Sequence, residues 1–309
     1  MIDVAIMIEG QNGLNWPRWR KIGRAVEDLG FTGLYRSDHY TNARPPDLDS
    51  LELWVSLTWL ADNTERIEFG PLVSPVSFRD PTMTARMAAA VDDLSAGRLQ
   101  LGLGAGWQER EHHNFGWDLL AIGPRMDRFG EGLEVITRLL SSDEPVEFQG
   151  AYYELHEAIL LPRPVARPGG PPVVIGGNGP KRTLPLVAHY ATEWNAVFIP
   201  PARIKELNTR LDELLAGAGR EPAAVQRSVM TGLVFGRDQA ELDALLAEKN
   251  RSAIDLRERG IVVGTANQIV DQLGHFAEAG VYRIMLQWID LDALDQLEAM
   301  AAGILPQVQ

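Results

Sequence analysis

The sequence predicts a (β/α)8 TIM barrel over residues 1–309, read as one domain, and three observations predict it. Short apolar, β-rich runs alternate with longer stretches whose apolar residues recur at helical spacing, an order that gives parallel strands and right-handed crossovers. Eight such units can be traced, which suits a closed barrel better than an open sheet. The 309 residues, 45% of them apolar, suffice for a barrel and its core, and no repeat, low-complexity tract or charged tail interrupts them.

The elements follow in order. Val4–Glu9 is the first strand, bounded by Gly10, and Trp16–Leu29 the first helix, stopped at Gly30. Gly33–Ser37 is the second strand and Leu51–Ala61 the second helix, with Asp49 or Ser50 as its cap. Ile67–Val73 and Arg98–Leu103 are strands three and four, each followed by a helix, Thr82–Leu94 and Arg125–Leu140. Pro145–Pro172 is rich in Pro, Tyr and Gly yet still apolar, so it reads as a hairpin and loop inserted between strands four and five. Strands then alternate with helices: Val173–Gly176 with Lys181–Tyr190, Glu193–Phe198 with Ala202–Ala216, and Val225–Phe235 with Gln239–Arg259. A further helix, Asn267–Ala279, ends at Gly280; Tyr282–Trp288 is the last strand and Leu291–Ala302 the closing helix.

Composition narrows the function. With 29 basic and 42 acidic residues the net charge is −13, which disfavours a broad nucleic-acid or anionic-membrane surface without excluding a local anion site. The absence of cysteine removes disulfides, thiolate metal sites and a cysteine nucleophile, so redox chemistry would need a bound organic cofactor. Met1–Glu9 lacks a basic leader and reads as a strand, and no apolar run reaches the roughly 18 residues of a membrane span. The expectation is a cytoplasmic protein.

Barrel chemistry sits where strands end. After strand two comes Ser37-Asp38-His39-Tyr40, in which Asp38 is placed to orient His39, and His39 to donate or relay a proton. The same residues would also serve as a turn cap and a half-buried histidine. After strand three, Gly70–Pro75 offers a smooth wall for an aromatic ligand, or an ordinary strand end. The run Gly102-Leu103-Gly104-Ala105-Gly106-Trp107 lets backbone approach a ligand, or relieves a crowded rim. Gly176-Gly177-Asn178-Gly179-Pro180-Lys181-Arg182-Thr183 opens a helix with bare amides and two cations, the composition of a phosphate site. Glu109-Arg110-Glu111-His112-His113 is a poor metal site: adjacent histidines on a helix point about 100° apart, and no second cluster completes a ligand set. No metal is expected, and Glu111 is expected to pair with an arginine. Trp54, Trp59, Met83 and Met87 fit a core or a subunit interface.

Taken in order, these pieces resemble the luciferase-like monooxygenase class, and within it the F420-dependent oxidoreductases. The resemblance rests on Ser37–Tyr40, Thr64–Val73, Phe78–Pro81, Asp93–Leu99, the glycine run through Trp107, Ile175–Lys181 and Glu278–Val281, and covers essentially the whole chain. It implies a deazaflavin, coenzyme F420, across the barrel mouth, a cis peptide at Leu72–Val73, phosphate binding by Gly176–Thr183, and His39 with Asp38 in catalysis. The implied cofactor contacts are Asp38, Leu72, Val73, Gly104, Ala105, Gly106, Trp107, Gly176, Gly177, Asn178, Gly179, Lys181 and Thr183. It also implies a homodimer. Lys181, Arg182 and Arg79 stand where an anionic F420 tail would pass. Sugar-phosphate dehydrogenases of this branch carry an acid where this chain has Trp107, so a more apolar pocket is expected. The implied reaction is hydride transfer between the deazaflavin C5 and a small organic substrate. An FMN-dependent monooxygenase using O2 and a non-catalytic flavin-binding protein are the alternatives.

Overall fold

The computed structural model describes residues 2–248 and 250–308; Met1, Lys249 and Gln309 lie outside that description. β1 (Asp3–Ile8) leads into α1 (Trp16–Leu29), which starts where the Asn15 side chain accepts from the Arg18 amide and stops at Gly30. β2 (Gly33–Arg36) precedes α2 (Leu53–Asn63), and the third strand comes in two pieces, β3 (Glu68–Pro71) and β4 (Ser74–Pro75). α3 (Pro81–Leu94) is capped by Asp80, and β5 (Leu101–Gly104) is followed by α4 (Glu109–Phe115) and α5 (Ile122–Ser141). An antiparallel hairpin, β6 (Val146–Gln149) and β7 (Glu154–Ala158), is the inserted region. Then come β8 (Val173–Gly176), α6 (Thr183–Tyr190), β9 (Glu193–Val197), α7 (Pro201–Gly217) and β10 (Gln226–Phe235). α8 (Gln239–Glu248), α9 (Ala253–Glu258), β11 (Val262–Gly264), α10 (Ala266–Glu278), β12 (Arg283–Trp288) and α11 (Leu294–Val308) complete the order.

All barrel pairings are parallel, in the order β3-β2-β1-β12-β10-β9-β8-β5-β4. Because β3 and β4 are halves of one strand, the ring closes on itself: the Phe69 amide donates to Arg98 O at 3.2 Å and the Gln100 amide to Phe69 O at 2.8 Å. The two-residue period of a strand divides inside from outside. In β1, Val4, Ile6 and Ile8 pack outward against helices, while Ala5 and Met7 point inward with Tyr35, Leu72, Val174, Met230 and Met285. At the strands' N-terminal end the interior is floored by polar groups. Arg283 donates to Tyr35 Oη at 2.7 Å and pairs with Glu68 and Glu193, and Tyr282 Oη donates to Glu193 at 2.6 Å. The barrel is thus shut below and open above, and the open end carries the site.

Three local expectations are corrected. The predicted helix Gln239–Arg259 is two helices separated near Asn250, where φ is 46°, and Ser252 caps the second; β11 then adds to β10 outside the ring. Neither Asp49 nor Ser50 caps α2. Ser50 Oγ donates to His39 O at 2.5 Å, Asp49 accepts from Asn15 Nδ2 at 3.1 Å, and Glu52 caps instead, accepting from the Val55 amide at 2.7 Å. Residues 109–115, given no helix in the element order above, form α4.

The closing seam has no room for side chains. A Cβ on Gly102 would lie 2.0 Å from Pro71 O, and one on Gly70 would lie 1.9 Å from Gln100 O. Both obstacles are backbone atoms and cannot swing aside. Gly102→Ala is therefore expected to destabilise the fold by about 3 kcal/mol, measured by chemical denaturation. Wild-type stability in that variant would show that the seam yields.

Candidate active site

A cavity of about 460 Å³ opens at the C-terminal ends of the strands. Its walls are mostly hydrocarbon: Met7, Leu72, Val73, Pro75, Met126, Phe129, Val197 and Met230, with Trp107 and Phe198 at the mouth. The polar side chains on it are Glu9, Ser37, His39, Glu111, Thr183 and Asn195.

His39 lies just beyond the end of β2. Its Nδ1 is 2.8 Å from Glu111 Oε1, and the other oxygen of Glu111 accepts from the Tyr40 amide at 3.1 Å. Gln108 Nε2 also lies 3.2 Å from Nδ1. A carboxylate only accepts, so the shorter, charge-assisted contact places the proton on Nδ1. Nε2 has no partner among the described residues, and it is the nitrogen left for a ligand. Trp107 meets the imidazole edge to face, with ring centroids 5.4 Å apart. Burial pulls the His39 pKa down, but the hydrogen bond and charge of Glu111, with Glu9 and Asp38 behind it, outweigh burial and raise it above the ordinary value.

Asp38 does not orient His39. It faces the opposite way, accepting from Ser74 Oγ at 2.8 Å and from both Arg79 terminal nitrogens, at 2.5 and 3.2 Å. Arg79 also pairs with Glu52 at 2.7 Å and donates to Tyr40 Oη at 3.0 Å. Asp38 is absent from the cavity lining, and Arg79 is committed behind the wall, not free for a cofactor tail. Burial pushes the Asp38 carboxyl up, and the Arg79 guanidinium works against that rise. This cluster braces β4, and so holds the wall at Leu72–Val73, whose peptide bond is cis as the resemblance implies.

The glycine run serves that wall first. A Cβ on Gly104 would lie 2.5 Å from Val73 Cγ2, and Val73 also covers Gly102 and Gly176. These glycines make room for Val73, and Val73 meets the cavity in their place. Gly104, Ala105, Gly106, Gly176, Gly177 and Thr183 still reach the lining; Asn178, Gly179 and Lys181 do not. Asn178 clamps the strand beside it, accepting from the Val197 amide at 2.9 Å and donating to Val197 O at 2.7 Å. Gly177, at φ 123°, donates its amide to Asn195 O. α6 begins at Thr183, so Pro180 sits in the preceding turn. The amides of Asn178, Gly179, Lys181 and Arg182 have no partner among the described residues. Arg182 pairs with Asp127, and Lys181 lines a groove that adjoins the cavity across Met126.

Glu111, expected to pair with an arginine, was the residue most undervalued by the sequence. His112, beside it, turns away to Ser77 Oγ at 2.8 Å and Gln108 O at 2.7 Å. Among the described residues no group of three or more His, Asp or Glu is placed to hold a metal, and no helix is long and apolar enough to cross a membrane. Glu9, one residue past β1, could have been ranked by the strand-end rule. Asn195, within β9, gave no sequence signal. Its Nδ2 donates to Ser228 Oγ at 2.9 Å, while its buried Oδ1 lacks a partner.

The sequence profile of the luciferase-like monooxygenase family matches residues 4–283. The chain belongs to this family. It is 26% identical to 4-hydroxyprotoasukamycin monooxygenase of Streptomyces nodosus subsp. asukaensis, over 94% of this chain and 86% of that one. It is also 26% identical to the F420-dependent glucose-6-phosphate dehydrogenase of Intrasporangium calvum, over 91% of each. An F420-dependent secondary alcohol dehydrogenase, solved with an F420-acetone adduct, superposes with a TM-score of 0.85 at 20% identity, over 100% of this chain and 99% of that one. The family is one of oxidoreductases and monooxygenases; the chain shares its barrel and its enzymatic class.

The His39–Glu111 contact generates a prediction. Glu111→Gln should lower the His39 pKa, read from the imidazole carbon shift in an NMR pH titration. An unchanged midpoint would mean that Glu111 does not set the charge of the ring.

Proposed function

We propose that the protein is an F420-dependent oxidoreductase, moving a hydride between the deazaflavin C5 and a small organic carbonyl compound or alcohol. The observation that carries this reading is the His39–Glu111 pair, because reducing a carbonyl demands a proton donor, and the rest of the pocket is mostly apolar. Glu111 fixes the ring and holds the proton on Nδ1, and Nε2 gives a proton to the substrate oxygen or takes one from it. The cavity suits a flat heteroaromatic ring. Leu72, Val73 and Pro75 give it an apolar wall, and the unpartnered Asn195 Oδ1 offers a buried acceptor for a ring N–H. The free amides before α6, with Lys181 beside them, suit a phosphate and the anionic tail beyond it. When bound, the deazaflavin supplies the two electrons as a hydride. The protein's own work is to bind, orient, exclude water and hold the proton.

A second reading has a specific observation in its favour: the similarity to a monooxygenase extends over 94% of this chain. On that reading the same cavity takes FMN, whose reduced form reacts readily with O2 where a reduced deazaflavin does not. Titration of the purified protein with each cofactor separates the two. F420 is expected to bind at least tenfold tighter than FMN at low salt, and to lose more affinity as salt rises, because its tail adds exposed ion pairs. Tighter FMN binding, or oxygen consumption with reduced FMN alone, would establish the monooxygenase instead.

His39→Ala should lower kcat by about 10²-fold or more while F420 affinity changes little. A loss confined to affinity would make His39 a ring-positioning group, and full activity would remove it from the reaction. The carbonyl-reducing direction requires protonated His39, so activity should fall as pH rises through the raised pKa. In Glu111→Gln that fall should begin at lower pH.

We also propose a homodimer formed through α2 and α3, where Val55 and Met83 are 57% and 50% exposed. Light scattering at micromolar concentration should return twice the 34.2 kDa chain mass. A monomeric mass would rule it out.

A further inference from the structure

The cavity holds a carboxylate that the reaction above leaves unused. Glu9 lines it, and each of its oxygens is held by a neutral amide: Gln287 Nε2 donates at 2.7 Å and Gln11 Nε2 at 3.0 Å. Gln11 is fixed in turn, accepting from Ser37 Oγ at 2.8 Å, and Ser37 Oγ accepts from the Gly10 amide at 2.9 Å. This network fixes the position of the charge without cancelling it.

No lysine or arginine lines the cavity among the described residues. The arginines nearest its walls are committed elsewhere. Arg79 is taken by Asp38 and Glu52, Arg36 is buried against the carbonyls of Ser37, Leu51 and Glu52 and the Ser56 hydroxyl, and Arg125 is spent on the carbonyls of Leu119, Leu120 and Gly106. The cation on the wall is His39 when protonated, and Glu111 already faces it. Glu9 therefore has no lysine or arginine partner in a bowl walled mostly by hydrocarbon, where like charge is felt strongly. Around it the surface is hydrocarbon, and it continues outward. Trp107 and Phe198 both line the cavity and remain 61% and 39% exposed.

We propose that Glu9 is a charge-selecting residue of the substrate site, so that the cavity admits uncharged, hydrocarbon-rich carbonyl compounds or alcohols and rejects those bearing a carboxylate or phosphate beside the reacting carbon. The reacting group in this statement rests on the proposed function; the charge selection does not. A hydrocarbon chain longer than the cavity leaves between Trp107 and Phe198, where apolar surface is already exposed. A protein of charge −13 must supply local cations to hold an anion, and here it supplies local carboxylates.

The test compares hexan-2-one with 2-oxohexanoate, in which a carboxylate replaces the methyl group next to the carbonyl. Binding is read from tryptophan fluorescence of the cofactor-free protein, and again from the absorbance of bound F420 or FMN. The ketone should bind at least tenfold tighter than the oxo acid in wild type, with or without cofactor. Glu9→Gln should narrow the ratio to less than about threefold by strengthening the oxo acid, not by weakening the ketone. Equal binding of the two ligands by wild type would overturn the proposal, as would no binding of either, or an unchanged ratio in a folded Glu9→Gln. The wild-type comparison stands even where the variant fails to fold. Failure of both cofactors to bind would sink the cofactor reading alone, because the cofactor-free ratio would still report on Glu9.

Discussion

The site depends on the seam where β3 and β5 meet. Gly70 and Gly102 let two backbones approach more closely than any side chain would permit, and that approach closes the ring. The third strand does not run unbroken past β5. It breaks into β3 and β4 at Leu72–Val73, and the Val73 side chain settles over Gly102, Gly104 and Gly176. One wall of the cavity is thereby formed by Leu72 and Val73, held between two strand segments of the ring. The chain leaving β5 then passes over the mouth as α4, and α4 carries Glu111 to His39. A seam built from two glycines thus positions both the apolar wall and the carboxylate that sets the imidazole.

Charge is distributed on two sides of that wall. Behind it, Asp38, Arg79, Glu52 and Ser74 form a closed set that ties β2, β4 and α2 together. Breaking such a buried pair is costly, since the surviving partner keeps its desolvation penalty. In front of it stand the groups that can act on a ligand: His39 with one ring nitrogen free, Glu111 behind it, and Glu9 held by amides. The polar floor around Arg283 and Glu193 satisfies its own charges within the barrel and leaves the upper half to hydrocarbon. The result is a bowl walled mostly by hydrocarbon, in which a few polar atoms can decide orientation.

Membership of the luciferase-like family accounts for a barrel shared with a solved structure at only 20% sequence identity. A barrel keeps its strands while the loops above them vary. Trp107, which edges onto His39, sits on one of those loops, as do Glu9 at the end of β1 and Phe198 at the end of β9.

Eight strands, their order, the inserted hairpin and the candidate residues His39, Leu72, Val73 and Thr183 were legible in the sequence, because hydrophobic period and strand-end position are local properties of the chain. The break between α8 and α9 was harder to see, since the apolar spacing continues through Leu256 and only Asn250 and Ser252 mark the interruption. Pairing was not legible at all. Asp38 stands next to His39 in sequence, yet strand geometry turns it to Arg79, while Glu111 arrives from 72 residues away. The glycines of the fourth predicted strand read as room for a ligand, and their space is taken by Val73. Sequence alone determined which elements form and which ends of them face the mouth. Only the tertiary structure decided which charge meets which, because a short-range electrostatic contact depends on distances that the closing of the barrel creates.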